Sequence, residues 1–78
     1  MSKYNWHLKY NGSTRFWVIL NSEKFKDVGI LETSYRIGEK EKREYFLYDG
    51  HITLGPYETL RAAKQSFALR VTKGVINY

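Results

Sequence analysis

Residues 49–64 read DGHITLGPYETLRAAK and contain the clearest structural signals in the chain. The pair Asp49-Gly50 predicts a tight turn, because both residue types tolerate a positive φ angle. A short strand follows, and Gly55-Pro56 is expected to end it. Thr59 is the expected N-cap of an amphipathic helix that runs from about Thr59 to Lys73. The stretch therefore predicts a β-hairpin followed by a helix that packs across the sheet.

The predicted helix has one apolar stripe and one polar side. The apolar residues recur at helical spacing and are Leu60, Ala63, Phe67 and Val71. The residues expected to face outward are Arg61, Lys64 and Gln65. Lys73 stands where the helix dipole favours a cation, and Gly74 is expected just beyond the helix end. Residues 75–78 either add a short edge strand or fray.

The first hairpin is predicted from the alternating residues around Asn11-Gly12, a strong turn signal. A two-residue loop at Asn11-Gly12 would mix polar and apolar residues on both faces. A three-residue loop separates them better, so we expect it. One face would then contain Trp6, Leu8, Phe16 and Val18, and the other His7, Lys9, Arg15 and Trp17. Ile19 would share the basic face with Trp17.

The middle of the chain predicts two more strands. Leu31, Tyr35 and Ile37 recur at period two and predict one apolar strand face between Val28 and Ile37. Residues 38–42 are predicted to form a charged loop, and residues 45–48 the next strand.

The register of the second hairpin follows from its turn. A two-residue loop at Asp49-Gly50 would pair Leu47 with Ile52 and Tyr45 with Leu54, which keeps one face apolar. We therefore expect a single α+β domain over residues 1–78. It would contain an antiparallel sheet of four to five strands, with one C-terminal helix packed on one face.

Composition indicates a binding protein. The net charge is +5, and residues 1–20 contain three basic residues and no acidic one, which favours an anionic partner such as nucleic acid. There is no cysteine, and the two histidines, His7 and His51, stand in different predicted hairpins, so we expect no metal, no cofactor and no enzyme. No signal peptide or membrane segment is apparent. We expect the cytoplasm of a bacterial or host cell, with no membrane partner and no small-molecule substrate.

The outer face of the first hairpin is the leading candidate for a partner site. Lysine and arginine neutralise phosphates, asparagine and arginine bind base edges, and tryptophan stacks on bases or packs on sugars. The candidate residues, including two on the helix, are Asn5, His7, Lys9, Arg15, Trp17, Arg61 and Lys64. Alternatively, Trp17 belongs to the core and the face has no such role.

The run Leu54–Ala63 resembles the corner between the last strand and the helix in APETALA2-type DNA-binding domains. It is also similar to the arm-site-binding N-terminal domains of tyrosine integrases. These families back a three-stranded antiparallel sheet with a C-terminal helix and bind the DNA groove with the sheet. Residues 12–19 resemble the second strand of these families, where basic residues and a tryptophan alternate. This resemblance implies that Arg15 and Trp17 contact DNA. The chain departs from both families by about 20 extra residues before its last hairpin.

The chain also resembles, in architecture alone, small phage proteins that inhibit host enzymes, such as the RNA-polymerase inhibitors of T-odd phages. That resemblance implies a host protein, a polymerase or a defence complex, as the alternative partner. Trp17 beside Arg15 would then be a protein-binding hot spot, since these residue types dominate such sites. A structural or assembly subunit is a third interpretation.

Overall fold

The structure is a computed structural model that describes residues 4–20 and 22–73. Within these residues, an open five-stranded antiparallel sheet carries one helix on a single face. The elements are β1 (Trp6–Asn11), β2 (Thr14–Ile19), β3 (Gly29–Ile37), β4 (Lys40–Tyr48), β5 (Thr53–Tyr57) and α1 (Leu60–Thr72). The strand order follows the chain order. The predicted α+β class, with one C-terminal helix on the sheet, is confirmed.

Helix α1 begins and packs as its sequence pattern predicts. The Thr59 side chain accepts a hydrogen bond from the Ala62 amide at 3.0 Å, as an N-cap residue does. Ala63 and Phe67 are fully buried, while Leu60 and Val71 pack at the edge of the core. The Phe67 ring meets three aromatic rings edge-on, those of Tyr4, Trp6 and Phe25. The expectations for Gly74 and residues 75–78 lie outside the described residues.

The connection between β2 and β3 supplies two core residues, Phe25 and Val28, that the polar composition of this stretch conceals. The Phe25 amide donates a hydrogen bond to the Ser22 hydroxyl at 3.2 Å. The Val28 amide donates to the Phe25 carbonyl oxygen at 3.1 Å. These bonds satisfy backbone groups in a tight turn while both side chains enter the core.

The predicted three-residue loop in the first hairpin is wrong. The loop is the two residues Gly12-Ser13, Asn11 lies opposite Thr14, and Gly12 has a φ of +65°. Leu8 therefore pairs with Trp17, and every side chain of β2 lies on the face opposite to the predicted one. Burial explains the outcome, since this register puts the largest apolar side chain of β2, that of Trp17, on the helix-covered face, where it is 7% exposed.

The predicted two-residue loop at Asp49-Gly50 is also wrong. Tyr48 pairs with Thr53, so the loop has four residues, 49–52. The Asp49 carboxylate organises it: one oxygen accepts the amides of His51 and Ile52 at 2.9 Å each. The other oxygen accepts a bond from Arg70 of α1 at 2.9 Å, which ties the loop to the helix. The bonds from the two amides and from Arg70 therefore favour this longer, aspartate-capped loop over a tight two-residue turn.

Strand β5 continues through Gly55-Pro56, which the sequence predicted to end it. A register shift between Tyr45 and Leu47 accommodates the passage, because Leu47 pairs with Leu54 while Tyr45 pairs with Tyr57. Gly55 adopts a φ of +126°, and a Cβ built there would lie 2.9 Å from the Tyr45 carbonyl oxygen. Only glycine fits this close approach.

The β3–β4 hairpin is longer than its charged sequence predicts. The turn is Gly38-Glu39 alone, and residues 40–44, predicted as loop or left unassigned, belong to β4. Pairing of β2 with β3 ends at Leu31, and pairing of β5 with β4 ends at Tyr45. The hairpin therefore projects beyond the rest of the sheet as a two-stranded arm.

The buried face of β3 is the reverse of the expected one. Ile30 is 1% exposed and belongs to the core, whereas Leu31, Tyr35 and Ile37 are all exposed. Because side chains alternate along a strand, these three residues lie on the face opposite to Ile30. The period-two pattern of apolar residues in β3 therefore identifies the uncovered face of the sheet rather than the buried one.

Candidate functional site

The sheet has an open face, which we define as the surface opposite α1. Its central residues follow from the strand registers and form two rows that cross the sheet. The first row is Lys9, Phe16, Leu31 and Phe46, and the second row is His7, Val18, Gly29, Tyr48 and Thr53. Neighbours in a row lie on adjacent strands, about 4.8 Å apart along the hydrogen bonds.

The two rows differ in bulk at one position. The first row has a large side chain on each of its four strands, whereas the second has Gly29 between Val18 and Tyr48. Gly29 has no side chain, so the sheet surface has a hollow there. The hollow is part of an open, mainly apolar groove of about 390 Å³. Its lining residues are Asn11, Phe16, Gly29, Ile30, Leu31, Phe46, Tyr48 and Thr53.

The aromatic rings beside this hollow are held in place. Tyr48 is 44% exposed, and its hydroxyl donates to the Gly50 carbonyl oxygen at 3.3 Å, which restrains the ring. Phe46 and Phe16 are half-buried in the neighbouring row. A planar ligand entering the groove would meet these ring faces and edges without displacing the core.

A second recess lies at the β1 side of the open face, next to the hollow. Its volume is about 520 Å³, and Lys9 and Lys26 line it together with Glu23 and Val18. Val18 is the strand neighbour of Gly29, so the recess and the hollow adjoin across one strand. Its lining carries two positive charges and one negative charge, and it suits an anion better than a cation.

The residues predicted to bind a partner are divided between the two sides of the sheet. His7 and Lys9 lie on the open face, and Asn5 is exposed just before β1. Arg15 and Trp17, the DNA contacts implied by the family resemblance, lie on the helix-covered face, where Trp17 is 7% exposed. The expectation that Lys9, Arg15 and Trp17 share a face is therefore wrong. Of the two interpretations of Trp17, the core one is correct.

The two helix residues among the predicted set lie on the covered side of the sheet. Arg61 is exposed on α1 and Lys64 is half-buried there. Neither joins Lys9 on one surface, since the sheet separates α1 from the open face.

Arg15 is engaged in an ion-pair cluster. Its guanidinium binds both carboxylate oxygens of Glu32, and the Tyr45 hydroxyl donates to Glu32 at 2.8 Å. The hydrogen bond from Arg15 lowers the pKa of the Glu32 carboxyl and outweighs burial, which would raise it. The hydrogen bond from Tyr45 lowers the same pKa to a smaller extent. Burial, followed by the bond to Glu32, raises the pKa of Tyr45. The guanidinium also lies 5.4 Å from the centre of the Trp17 ring. These contacts hold the Arg15 side chain against the helix-covered face of the sheet.

The positive charge outside the ion pairs is carried by other residues. Among the described residues, three ion pairs join Arg15 to Glu32, Arg43 to Glu41 and Arg70 to Asp49. Each pair cancels one base with one acid. The net positive charge of the chain is therefore carried by residues outside these pairs. Three of those residues, Lys9, Lys40 and Lys42, lie on the open face. Glu44 is the one acidic residue at the strand positions of that face.

Sequence reasoning missed most of this site, namely Phe16 as a surface residue, Gly29, Leu31, Phe46, Tyr48 and Lys26. One signal was available: apolar residues are adjacent at 16–20 and at 45–48, so both faces of β2 and β4 had to contain some of them.

Within the described residues, no group of three or more His, Cys, Asp or Glu side chains could hold a metal ion. No helix in this part of the chain is long and apolar enough to cross a membrane. Comparisons with protein-family models, curated proteins and solved structures find no match to this chain.

Proposed function

We propose that this chain is a small, basic, non-enzymatic protein that binds single-stranded nucleic acid on the open face of its sheet. The observation that carries the proposal is the uncovered row of aromatic and aliphatic side chains with lysines beside it. The absence of cysteine suits the reducing cytoplasm in which we expect it to act.

The aromatic content of the face favours single strands over a duplex. Bases in a duplex are stacked on each other and hide their ring faces, whereas unstacked bases can stack on exposed side chains. Tyr48 and Phe46 lie on adjacent rows of one strand and can receive successive bases. The lysines of the face contribute the sequence-independent attraction to phosphates.

The lysines lie at two ends of the aromatic surface. Lys9 is at the β1 edge beside Phe16, and Lys42 is four residues from Phe46 along β4, about 13 Å in an extended strand. A bound strand that crosses the rings would therefore meet a positive charge before and after them.

The test is a salt titration of binding to a fluorescein-labelled 12-mer of single-stranded DNA and its RNA counterpart. The double variant Lys9→Gln/Lys42→Gln removes two phosphate contacts and should reduce the slope of log K against log salt by about 1.4. Tyr48→Ala should weaken binding by roughly 5- to 150-fold with the slope unchanged, because stacking is worth about 1–3 kcal/mol per base.

The matched comparison is Arg61→Gln/Lys64→Gln, which removes the same charge from the helix side. It should leave the slope near that of the unaltered protein. Equal losses in both double variants would show that overall charge, rather than the open face, governs binding. If neither the DNA nor the RNA 12-mer shows salt-sensitive binding, the proposal is overturned.

A protein partner is the second candidate, because the same face exposes aliphatic side chains. Leu31 is 43% exposed and Ile37 is 60% exposed. Such residues suit a protein interface, such as that of a small phage-type inhibitor on a host polymerase or defence complex. This candidate predicts a stoichiometric complex that survives nuclease digestion and is lost on Ile37→Lys. Loss of all partners after nuclease treatment would exclude it.

A further inference from the structure

We infer that the open face holds one nucleotide of the bound strand at a fixed position, with its base in the hollow over Gly29 and its phosphate in the Lys9–Lys26 recess. This inference rests on the proposed function and adds to it a defined subsite. It makes Gly29 a residue that determines binding although it contributes no side chain.

The shape of the hollow supports a flat ring as its occupant. A groove of about 390 Å³ lies within the range of about 300–1,000 Å³ usual for small-ligand sites. Phe46 and Tyr48 border Gly29 on one side, and Val18 borders it on the other. An aromatic base is apolar on its faces and polar at its edges, so it can fill the hollow and keep its polar edge in water.

The adjoining recess supports an anion beside that ring. Lys9 and Lys26 come from different parts of the chain, the first from β1 and the second from the turn before β3, yet they line one recess. Glu23 lines it as well, so the two lysines leave one net positive charge. Val18 lines the recess and pairs with Gly29 of the hollow on the next strand, about 4.8 Å away. The base and phosphate of one nucleotide therefore have neighbouring sites of matching polarity.

The backbone at Gly29 permits a direct test by filling the hollow. A Cβ built on Gly29 would meet a single neighbouring atom, the Trp17 carbonyl oxygen, at an ordinary 3.4 Å. Its φ lies outside the positive range, so a side chain brings no backbone strain. Valine also favours strands. Gly29→Val should therefore keep or raise the melting temperature while it occupies the hollow.

The expected result is a separation of two effects in oligonucleotide binding. Gly29→Val should weaken binding of the 12-mer about tenfold or more with the salt slope unchanged, because it blocks a base. Lys26→Gln should reduce the salt slope by about 0.7, because it removes one phosphate contact. Ser34→Val, which adds a valine to the opposite face of β3, is the matched control and should bind normally. If Gly29→Val lowers the melting temperature, Gly29→Ala replaces it, with a smaller loss of affinity expected.

The outcomes distinguish this subsite from the function on which it rests. If Gly29→Val and Gly29→Ala bind as the unaltered protein does while Tyr48→Ala is weakened, the subsite is refuted and binding on the open face stands. If the unaltered protein binds no single-stranded oligonucleotide, the proposed function fails and the subsite with it. In ¹⁵N-labelled protein, the Gly29 amide resonance should shift on titration with the 12-mer, and an unmoved resonance would overturn the subsite.

Discussion

Replacing Asp49 by asparagine should destabilise the protein, because this carboxylate joins the β4–β5 loop to the helix. Asp49 is 3% exposed and accepts hydrogen bonds from the amides of His51 and Ile52 and from the guanidinium of Arg70. The Arg70 side chain is 23% exposed, so the pair is largely withdrawn from water. Asparagine has the same shape and retains one acceptor oxygen for the two amides.

The size of the stability loss follows from the hydrogen bond with Arg70 that asparagine cannot make. Its amide group would point an N–H at the Arg70 guanidinium, which removes a charge-assisted bond worth about 1.5–3 kcal/mol. Removing one partner of a fully buried ion pair costs about 3–5 kcal/mol. Because Arg70 keeps some contact with water, we expect a loss of about 2–3 kcal/mol in the free energy of unfolding. For a domain of this size, that loss lowers the melting temperature by roughly 10–20 °C.

The pH dependence of this loss provides a second observable. Burial would raise the pKa of the Asp49 carboxyl, but the amides of Ile52 and His51 and the Arg70 guanidinium outweigh it and lower the pKa below its ordinary value. A lowered folded-state pKa gives stability that is complete above the unfolded value, about 3.9, and is lost as the pH falls through the folded value. The difference between the unaltered protein and Asp49→Asn should therefore shrink below about pH 4.

The assay is urea and thermal unfolding followed by circular dichroism at pH 7 and at pH 3, for Asp49→Asn, Arg70→Met and the double variant. Strong coupling should make the double variant less destabilised than the sum of the two single ones. Additive effects at pH 7, or a difference between Asp49→Asn and the unaltered protein that does not change with pH, would refute the ion-pair argument.

Two further substitutions test the core and the β5 passage. Phe67→Ala should lower the free energy of unfolding by about 3–5 kcal/mol in urea titrations, because Phe67 is fully buried among aromatic rings, and a near-neutral result would contradict that packing. Gly55→Ala should cost roughly 1–3 kcal/mol more than Gly38→Ala. Both glycines have positive φ, but only Gly55 would bring a Cβ to 2.9 Å from the Tyr45 carbonyl oxygen, so equal losses would refute the steric argument.

The elements of this fold could be predicted where local chemistry acts alone. The helix follows from its stripe and from the Thr59 cap, both of which depend on residues within a few positions of each other. The hairpin registers could not be predicted in the same way. The register of the second hairpin depends on Arg70, which lies 21 residues after Asp49. Its bond to the Asp49 carboxylate stabilises the longer loop.

The candidate site illustrates the same limit at a functional level. Phe16 and Trp17 are adjacent in sequence, so one of them must face the helix and the other must face away. Alternation with the polar residues of β1 favoured Phe16 as the buried one. The structure buries Trp17 on the helix side, where it gains Tyr45 as a ring partner. Arg15, two residues away on the same strand, shares the face of Trp17 in either register.

That exchange is what gives the open face its continuous apolar row. With Trp17 inside, Phe16 joins Leu31 and Phe46 in a continuous row on the uncovered side, and Lys9 becomes its neighbour rather than a neighbour of Arg15. The single-residue difference in register moves the expected basic cluster apart and assembles an aromatic one in its place. A protein that needed only phosphate attraction would have no use for an uncovered apolar row, which costs free energy in water. The row therefore favours a partner that presents rings or apolar groups, and the lysines beside it favour one that is also an anion.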